Sequence, residues 1–133
     1  MYVLDSDTCI YLVEHRYPSV QAKFATVPTA EIAVSAISLG ELRYGAANSQ
    51  RRRANLERLE NFLFPFAILP FDSSATAFYA AAKDYLRRLG TPIGSFDLLI
   101  AATVLAHDAT LVTNNTRKLA RVPGLKLENW LQP

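Results

Sequence analysis

Short apolar runs alternate with longer stretches of helical periodicity along this chain. The runs have the length of buried strands, and they fall at residues 2–5, 31–35, 67–71, 111–113 and 125–127. The helical stretches between them cover residues 7–16, 18–27, 38–48, 51–64, 73–89, 95–107 and 115–120. Strands separated by helices are joined by right-handed crossovers. The pattern therefore predicts an α/β fold in three layers, with a mainly parallel sheet of about five strands flanked by helices.

Composition limits the classes of protein to be considered. With 133 residues, of which 50% are hydrophobic and 20% charged, the chain is expected to form one folded domain over residues 1–133. Cys9 is the single cysteine, which excludes an intramolecular disulfide and a thiolate metal site. The chain has neither a signal-like N-terminus nor an apolar run of about 20 residues, so we expect a cytoplasmic protein without membrane contact. A net charge of +2 permits contact with nucleic acid without requiring it.

Acidic residues lie near the ends of the predicted strands. Asp5 ends the first strand, Glu41 follows the second, and Asp97 opens an apolar helix. The turn 113–115, Thr-Asn-Asn, follows the fourth strand. Functional groups collect at the carboxyl ends of parallel strands, so we expect these side chains to converge. Carboxylates without thiols or paired histidines suit a hard cation such as Mg²⁺ or Mn²⁺.

Each acidic residue also has a purely structural interpretation. Ser38 and Glu41 have the spacing of a helix capping box, and Asp97 is placed to interact with a helix dipole. Either Asp5 or Asp7 is able to cap the first helix. Capping does not explain why all the candidates fall at one end of the sheet. A carboxylate directly after a buried strand is also costly without a partner.

Basic residues follow the last of these turns, whereas the histidines do not lie at strand ends. Arg117, Lys118 and Arg121 follow the turn 113–115, and their position near the predicted site makes them candidates for contact with phosphate groups. His15 and His107 are poor candidates for acid–base catalysis, and His107 is predicted to end a helix.

Four segments of the chain resemble, in order and spacing, the VapC toxins of bacterial toxin–antitoxin pairs, which are PIN-domain nucleases. These segments are DSDTCIYL at 5–12, SLGELRYGA at 38–46, TPIGSFDLLIAA at 91–102 and LVTNNTRKLARVPGL at 111–125. The resemblance implies a PIN fold and a Mg²⁺- or Mn²⁺-dependent endoribonuclease that inhibits translation. It also implies a cognate VapB-type antitoxin, a homodimer and, from relatives with similar segments, cleavage of a tRNA anticodon loop.

The resemblance also implies roles for individual residues. Asp5, Glu41, Asp97 and Asn115 would be catalytic, and Asp5 and Asp97 would be the metal ligands. Supporting positions beside them would be Thr113 and Asn114. The chain departs from the family at three places: Asn114 and Asn115 stand where the family often has an acid, Lys118 stands where some relatives have an acid, and Asp7 replaces a common asparagine.

Two other functional classes remain open at this point. A phospho-receiver domain also places carboxylates at strand ends, and Asp72 would then be the phospho-acceptor. That interpretation leaves Glu41 and Asp97 unexplained and lacks the lysine that a receiver needs after a late strand. A non-catalytic RNA-binding module is the second alternative.

Overall fold

Five strands and seven helices alternate in the computed structural model, which describes residues 1–131. The strands are β1 (Tyr2–Leu4), β2 (Ile32–Ser35), β3 (Ala67–Leu69), β4 (Thr110–Val112) and β5 (Lys126–Glu128). The helices are α1 (Ser6–Val13), α2 (Pro18–Ala25), α3 (Ala36–Ala47), α4 (Arg52–Leu63), α5 (Ser73–Arg88), α6 (Ser95–Ala106) and α7 (Thr116–Leu119). Every predicted element is present, with boundaries shifted by a few residues, and a short 3₁₀ turn at Thr29–Glu31 precedes β2.

The strands form a single parallel sheet in the order β3-β2-β1-β4-β5. The first strand is therefore central, between β2 and β4. Strand β3 lies at an edge and ends immediately before Pro70, which has no N–H to donate to a neighbouring strand. Because all strands run in the same direction, their carboxyl ends lie along one side of the sheet.

Apolar side chains cover both faces of the sheet. Successive strand residues point to opposite faces. One face packs against α5 and α6 through residues that include Val3, Ala33, Leu111, Leu86 and Val104. The other face packs against α1, α2 and α4 through residues that include Leu4, Val34, Val112, Leu12, Val20 and Leu59. The predicted three-layer α/β fold is confirmed.

Helix α6 has the most apolar sequence among the helices of residues 1–131, and it is largely buried. It ends at His107, whose Nδ1 lies 2.9 Å from the carbonyl oxygen of Thr103. The predicted role of His107 at a helix end is thereby confirmed. None of the helices in residues 1–131 has the length and apolar character needed to cross a membrane.

The start of α3 differs from the capping box that the sequence offered, whereas the start of α1 agrees with one of the two caps offered for it. Helix α3 is capped by Ser35, whose hydroxyl accepts a hydrogen bond from the Ser38 N–H at 3.0 Å. The capping box of Ser38 and Glu41 is therefore absent, because Ser38 already lies inside the helix. Helix α1 is capped by Asp5, and Asp7 lies in its first turn.

We expect Ser35→Ala to lower the free energy of unfolding by about 1–2 kcal/mol, because α3 loses a buried capping acceptor. Ser38→Ala is the matched control, since it removes a buried hydroxyl and keeps the capping bond. It should cost clearly less, as measured by urea unfolding of both variants. An equal or larger loss in Ser38→Ala would contradict the assignment of Ser35 as the cap.

Candidate active site

Asp5 lies at the carboxyl end of the central strand and also begins α1. Its Oδ1 accepts a hydrogen bond from the Thr8 N–H at 2.8 Å, and its own N–H donates to the Val112 carbonyl at 3.0 Å. Burial raises the pKa of the Asp5 carboxyl above its ordinary value, and the nearby charge of Asp7 adds to the rise. Hydrogen bonds from Thr113 and Thr8 oppose it. Within residues 1–131, no cationic side chain forms an ion pair with Asp5.

Glu41 lies in the middle of α3 and contacts the beginning of α1. The Ser6 hydroxyl donates to Glu41 Oε1 at 2.9 Å. Since Ser6 directly follows Asp5, this bond places Glu41 beside the Asp5 segment. The sequence interpretation gave Ser6 no role, although a hydroxyl immediately after a strand-end aspartate was an available signal.

The turn after β4 connects Asp5 to the start of α7. Thr113 is buried, and its hydroxyl oxygen accepts a hydrogen bond from the Asn115 N–H at 3.0 Å. Asn114 donates to the Tyr11 hydroxyl at 3.1 Å. Asn115 is exposed and caps α7 without a side-chain hydrogen bond to the helix. The amide of Asn115 is therefore not committed to the helix start that it occupies.

Asp97 lies in the first turn of α6, where it pairs with a lysine from α7. Lys118 Nζ is 3.5 Å from Asp97 Oδ2, and both side chains are a little more than one-third exposed. The cap of α6 is Gly94, and a methyl group added there would lie 3.9 Å from each of these two atoms. The other two basic candidates, Arg117 and Arg121, are exposed.

Asp72 has a structural role that accounts for it without phospho-acceptor chemistry. Its Oδ1 accepts a hydrogen bond from the Ala75 N–H at 3.1 Å and so caps α5. It follows the edge strand β3, whereas Asp5 follows the central strand. The receiver interpretation is correspondingly disfavoured.

A groove of about 480 Å³ lies between α1, α3 and α4. Its wall begins at Ser6 and Glu41, so the groove is continuous with the candidate site. Its apolar lining residues are Ile10, Val13, Leu42, Gly45, Ala46 and Leu59, and its acidic ones are Asp7, Glu14 and Glu41. The groove therefore combines an apolar surface with three acidic side chains, and Arg58 adds one basic side chain to its wall.

Comparison with known proteins identifies the family. The PIN domain model matches residues 2–125. The chain belongs to the PIN-domain family. Curated relatives of this PIN domain include "Ribonuclease VapC2" of Rickettsia felis, 37% identical over 131 residues that cover 98% of each chain. Another is "tRNA(fMet)-specific endonuclease VapC" of Salmonella typhimurium, 33% identical over 129 residues that cover 97% of each chain.

Solved structures agree with this assignment of the PIN domain. The VapBC2 complex of Rickettsia felis bound to a promoter DNA fragment contains a chain with TM-score 0.91 and 36% identity, matched over 98% of both chains. FitAcB from Neisseria gonorrhoeae gives a TM-score of 0.88 and 31% identity, again over 98% of both chains. The family resemblance to VapC ribonucleases is thereby confirmed, and the enzyme class is that of a PIN-domain nuclease.

The resemblance implies a divalent cation, and the oxygen donors of this PIN domain fit one. Mg²⁺ is commonly held by one or two carboxylates together with water and substrate phosphates. Asp5 supplies a desolvated carboxylate whose charge is not neutralised by an ion pair within residues 1–131. The same residues contain no group of three or more acidic, histidine or cysteine side chains that could hold an ion by themselves. The site thus fits a cation held by few protein oxygens and does not form a closed cage.

Asp5→Asn should leave the protein at least as stable as the wild type at about pH 7. Asparagine caps helices as well as aspartate does, and the substitution removes a desolvated charge. A carboxyl with a raised pKa in the folded state stabilises the fold at low pH, and this contribution is lost as the pH rises through that pKa. The advantage of Asp5→Asn should therefore shrink on acidification.

The measurement is urea unfolding between about pH 4 and pH 8. Asp72→Asn is the matched control, because it makes the same change at an exposed cap and removes no desolvated charge. A lower stability for Asp5→Asn at neutral pH would contradict the desolvation argument.

Proposed function

We propose that this chain is a divalent-metal-dependent endoribonuclease toxin that inhibits translation by cutting RNA. The observation that supports the proposal is a polar network along the carboxyl ends of the strands. Glu41 contacts Ser6 beside Asp5, and Asp5 contacts Thr113. Helix α7 begins just after Thr113 and carries the lysine that pairs with Asp97. Segments far apart in sequence thereby bring polar side chains to the same side of the sheet, which supports the proposal.

In this proposal each polar side chain has a defined task. Asp5 and Asp97 hold Mg²⁺ or Mn²⁺, with Glu41 and Asn115 completing the catalytic set. When bound, the cation supplies charge neutralisation at the phosphate and lowers the pKa of water. Ser6 fixes Glu41 through Oε1, which leaves Oε2 to orient a water toward the phosphorus. The exposed amide of Asn115 donates to a phosphate oxygen.

The neighbouring side chains position these groups and the RNA. Thr113 donates to Asp5, and Asn114 ties the turn to Tyr11 on α1. Arg117, Lys118 and Arg121 contact the RNA backbone, which fixes register without reading sequence. The proposed products carry 5′-phosphate and 3′-hydroxyl ends, and the ribose 2′-hydroxyl takes no part.

The proposed substrate is tRNA, cut in its anticodon loop. Support comes from the Salmonella relative, whose name assigns it to tRNA(fMet), together with the match of the two chains along nearly their whole length. The basic residues on and after α7 are suited to the phosphates of a compact folded RNA.

The proposed partners are a VapB-type antitoxin and a second copy of the chain. Three solved relatives are VapBC complexes, and the groove between α1, α3 and α4 offers an apolar surface for an antitoxin segment. Its acidic residues favour a segment that carries arginine or lysine. For the homodimer, α5 presents the exposed side chains of Phe78 and Tyr85, and Leu89 at its end is exposed as well.

Substitution of the proposed catalytic carboxylates should remove tRNA cleavage by purified protein. We expect Asp5→Asn, Glu41→Gln and Asp97→Asn each to lose about 100-fold or more, because each change removes charge that acts at the reacting phosphate. Asn115→Ala should lose about 10–100-fold, as is common for supporting groups. Asp108→Asn is the matched control at the opposite end of α6 and should cut at the wild-type rate. Wild-type activity in folded Asp97→Asn would contradict the proposed site.

The same assay tests the chemistry of the cut. EDTA should stop cleavage, and added Mg²⁺ or Mn²⁺ should restore it. A substrate with a single 2′-deoxy sugar at the cut site should still be cleaved. Cyclic 2′,3′-phosphate ends formed in EDTA by the wild type, and absent with Asp5→Asn, would overturn the metal-dependent mechanism.

Binding of the antitoxin should depend on the groove. Ile10→Gln should weaken the complex by about fivefold or more, because it removes a half-exposed apolar contact on α1. Phe64→Gln is the matched control, since Phe64 is exposed at the end of α4 and does not line the groove. Calorimetry with the antitoxin encoded beside this chain measures both. Equal affinities for the two variants would place the antitoxin elsewhere.

A further inference from the structure

The candidate carboxylates differ in whether they have a cationic partner. Within residues 1–131, ion pairs are absent from Asp5 and Glu41, whereas Asp97 has one with Lys118. Hydrogen bonds from hydroxyl groups stabilise the other two carboxylates. Of these three carboxylates, Asp97 is therefore the one whose negative charge is already partly neutralised by a cationic side chain.

The ammonium of Lys118 lies beside Asp97 at the start of α6. The lysine side chain extends there from α7, and a Cβ added at Gly94 would be in ordinary van der Waals contact with both charged groups. The distance of 3.5 Å between Nζ and Oδ2 is long for a charge-assisted hydrogen bond. The pair is thus a loose contact between two flexible, partly exposed groups.

We propose that Lys118 is an internal counter-cation for Asp97, which a divalent metal ion must displace before Asp97 serves as its ligand. This inference rests on the metal-dependent function proposed above. Lys118 thereby sets the concentration of divalent cation at which the enzyme becomes active. It is a positioning residue that acts through Asp97.

Physical chemistry makes such an exchange favourable. A half-exposed ion pair contributes little to stability, so its loss costs little. A divalent ion interacts with a carboxylate more strongly than an ammonium does at the same distance, because the interaction energy scales with charge. The lysine side chain has four rotatable carbon–carbon bonds in its stem, and the released ammonium is able to turn toward a phosphate of the bound RNA.

Arg117 provides a matched control for this effect. It is the preceding residue on α7, it carries the same charge, and its side chain is exposed. The seven ion pairs described within residues 1–131 do not include Arg117. Removing its charge changes the general field at the site and leaves the Asp97 ion pair in place.

The experiment is a titration of RNA-free protein with Mn²⁺, followed by calorimetry and by the electron paramagnetic resonance signal of free Mn²⁺. Lys118→Met should bind Mn²⁺ about fivefold more tightly than the wild type, the order expected from loss of a half-exposed ion pair. Arg117→Met should stay within about twofold. Lys118→Arg keeps the charge and should restore weaker, wild-type-like binding. Thermal unfolding of each variant verifies that it is folded.

The outcomes separate this inference from the proposed function. Equal Mn²⁺ affinities in wild type and Lys118→Met overturn it, and so does an equal gain in Arg117→Met, which would be an effect of net charge alone. In both cases the metal site stands, provided that Asp5→Asn and Asp97→Asn weaken Mn²⁺ binding. If those two variants bind Mn²⁺ as the wild type does, or no protein binds it, the metal site and the role of Lys118 both fail.

Discussion

Asp5 connects three parts of the fold through hydrogen bonds of its backbone and of its side chain. Its backbone N–H pairs with the Val112 carbonyl of the neighbouring strand, and its side chain caps α1 and accepts a hydrogen bond from Thr113. These contacts hold the central strand, the first helix and the turn before α7 in fixed relation. They do so while burial opposes the negative charge. The arrangement of these three segments, and with it the position of the candidate site, therefore depends on the hydrogen bonds of one desolvated carboxylate.

The negative charges of Asp5 and Asp97 are stabilised in two different ways. Within the described residues 1–131, Asp5 has no ion pair with a cationic side chain, and hydrogen bonds from the backbone and from hydroxyl groups stabilise its carboxylate. Asp97 lies nearer to solvent, and the ammonium of Lys118 partly compensates its charge. Active sites commonly contain charged groups that lower the stability of the folded protein but are needed for function. A cation that binds between the two would relieve the desolvation of one and replace the lysine of the other.

Local sequence patterns were sufficient to predict most of the fold. They did not predict the features that depend on contacts between segments far apart in sequence. The alternation of apolar runs and helical stretches predicted every strand and helix, because those signals lie within a few residues of each other. Strand order depends on packing between segments far apart in sequence, so the sequence pattern does not predict it. The choice of Ser35 over Ser38 as the cap of α3 follows from where β2 ends.

The candidate site was predictable to a similar depth. Strand-end positions singled out Asp5 and Asp97, whereas the contact of Ser6 with Glu41 joins two different helices and has no signature in sequence. The sequence marks Lys118 as a basic residue near the site and as a departure from the acid of some relatives, but it does not predict the ion pair with Asp97. Its partner is decided by the path of a long flexible side chain between α7 and α6, and spacing along the chain carries no information about that path.

The central position of β1 has a consequence for synthesis of the protein. One side of β1 pairs with β4, so that Tyr2 lies opposite Thr110, a residue far along the sequence, and Lys118 comes later still. During translation, domains begin to fold from the N-terminus, yet here Val112, which accepts the hydrogen bond of the Asp5 N–H, is made long after Asp5 itself. A nascent or prematurely terminated chain that lacks β4 also lacks the turn of Thr113 and Asn115. Incomplete products therefore do not contain the full candidate site, which forms only after the segment through α7 has been made.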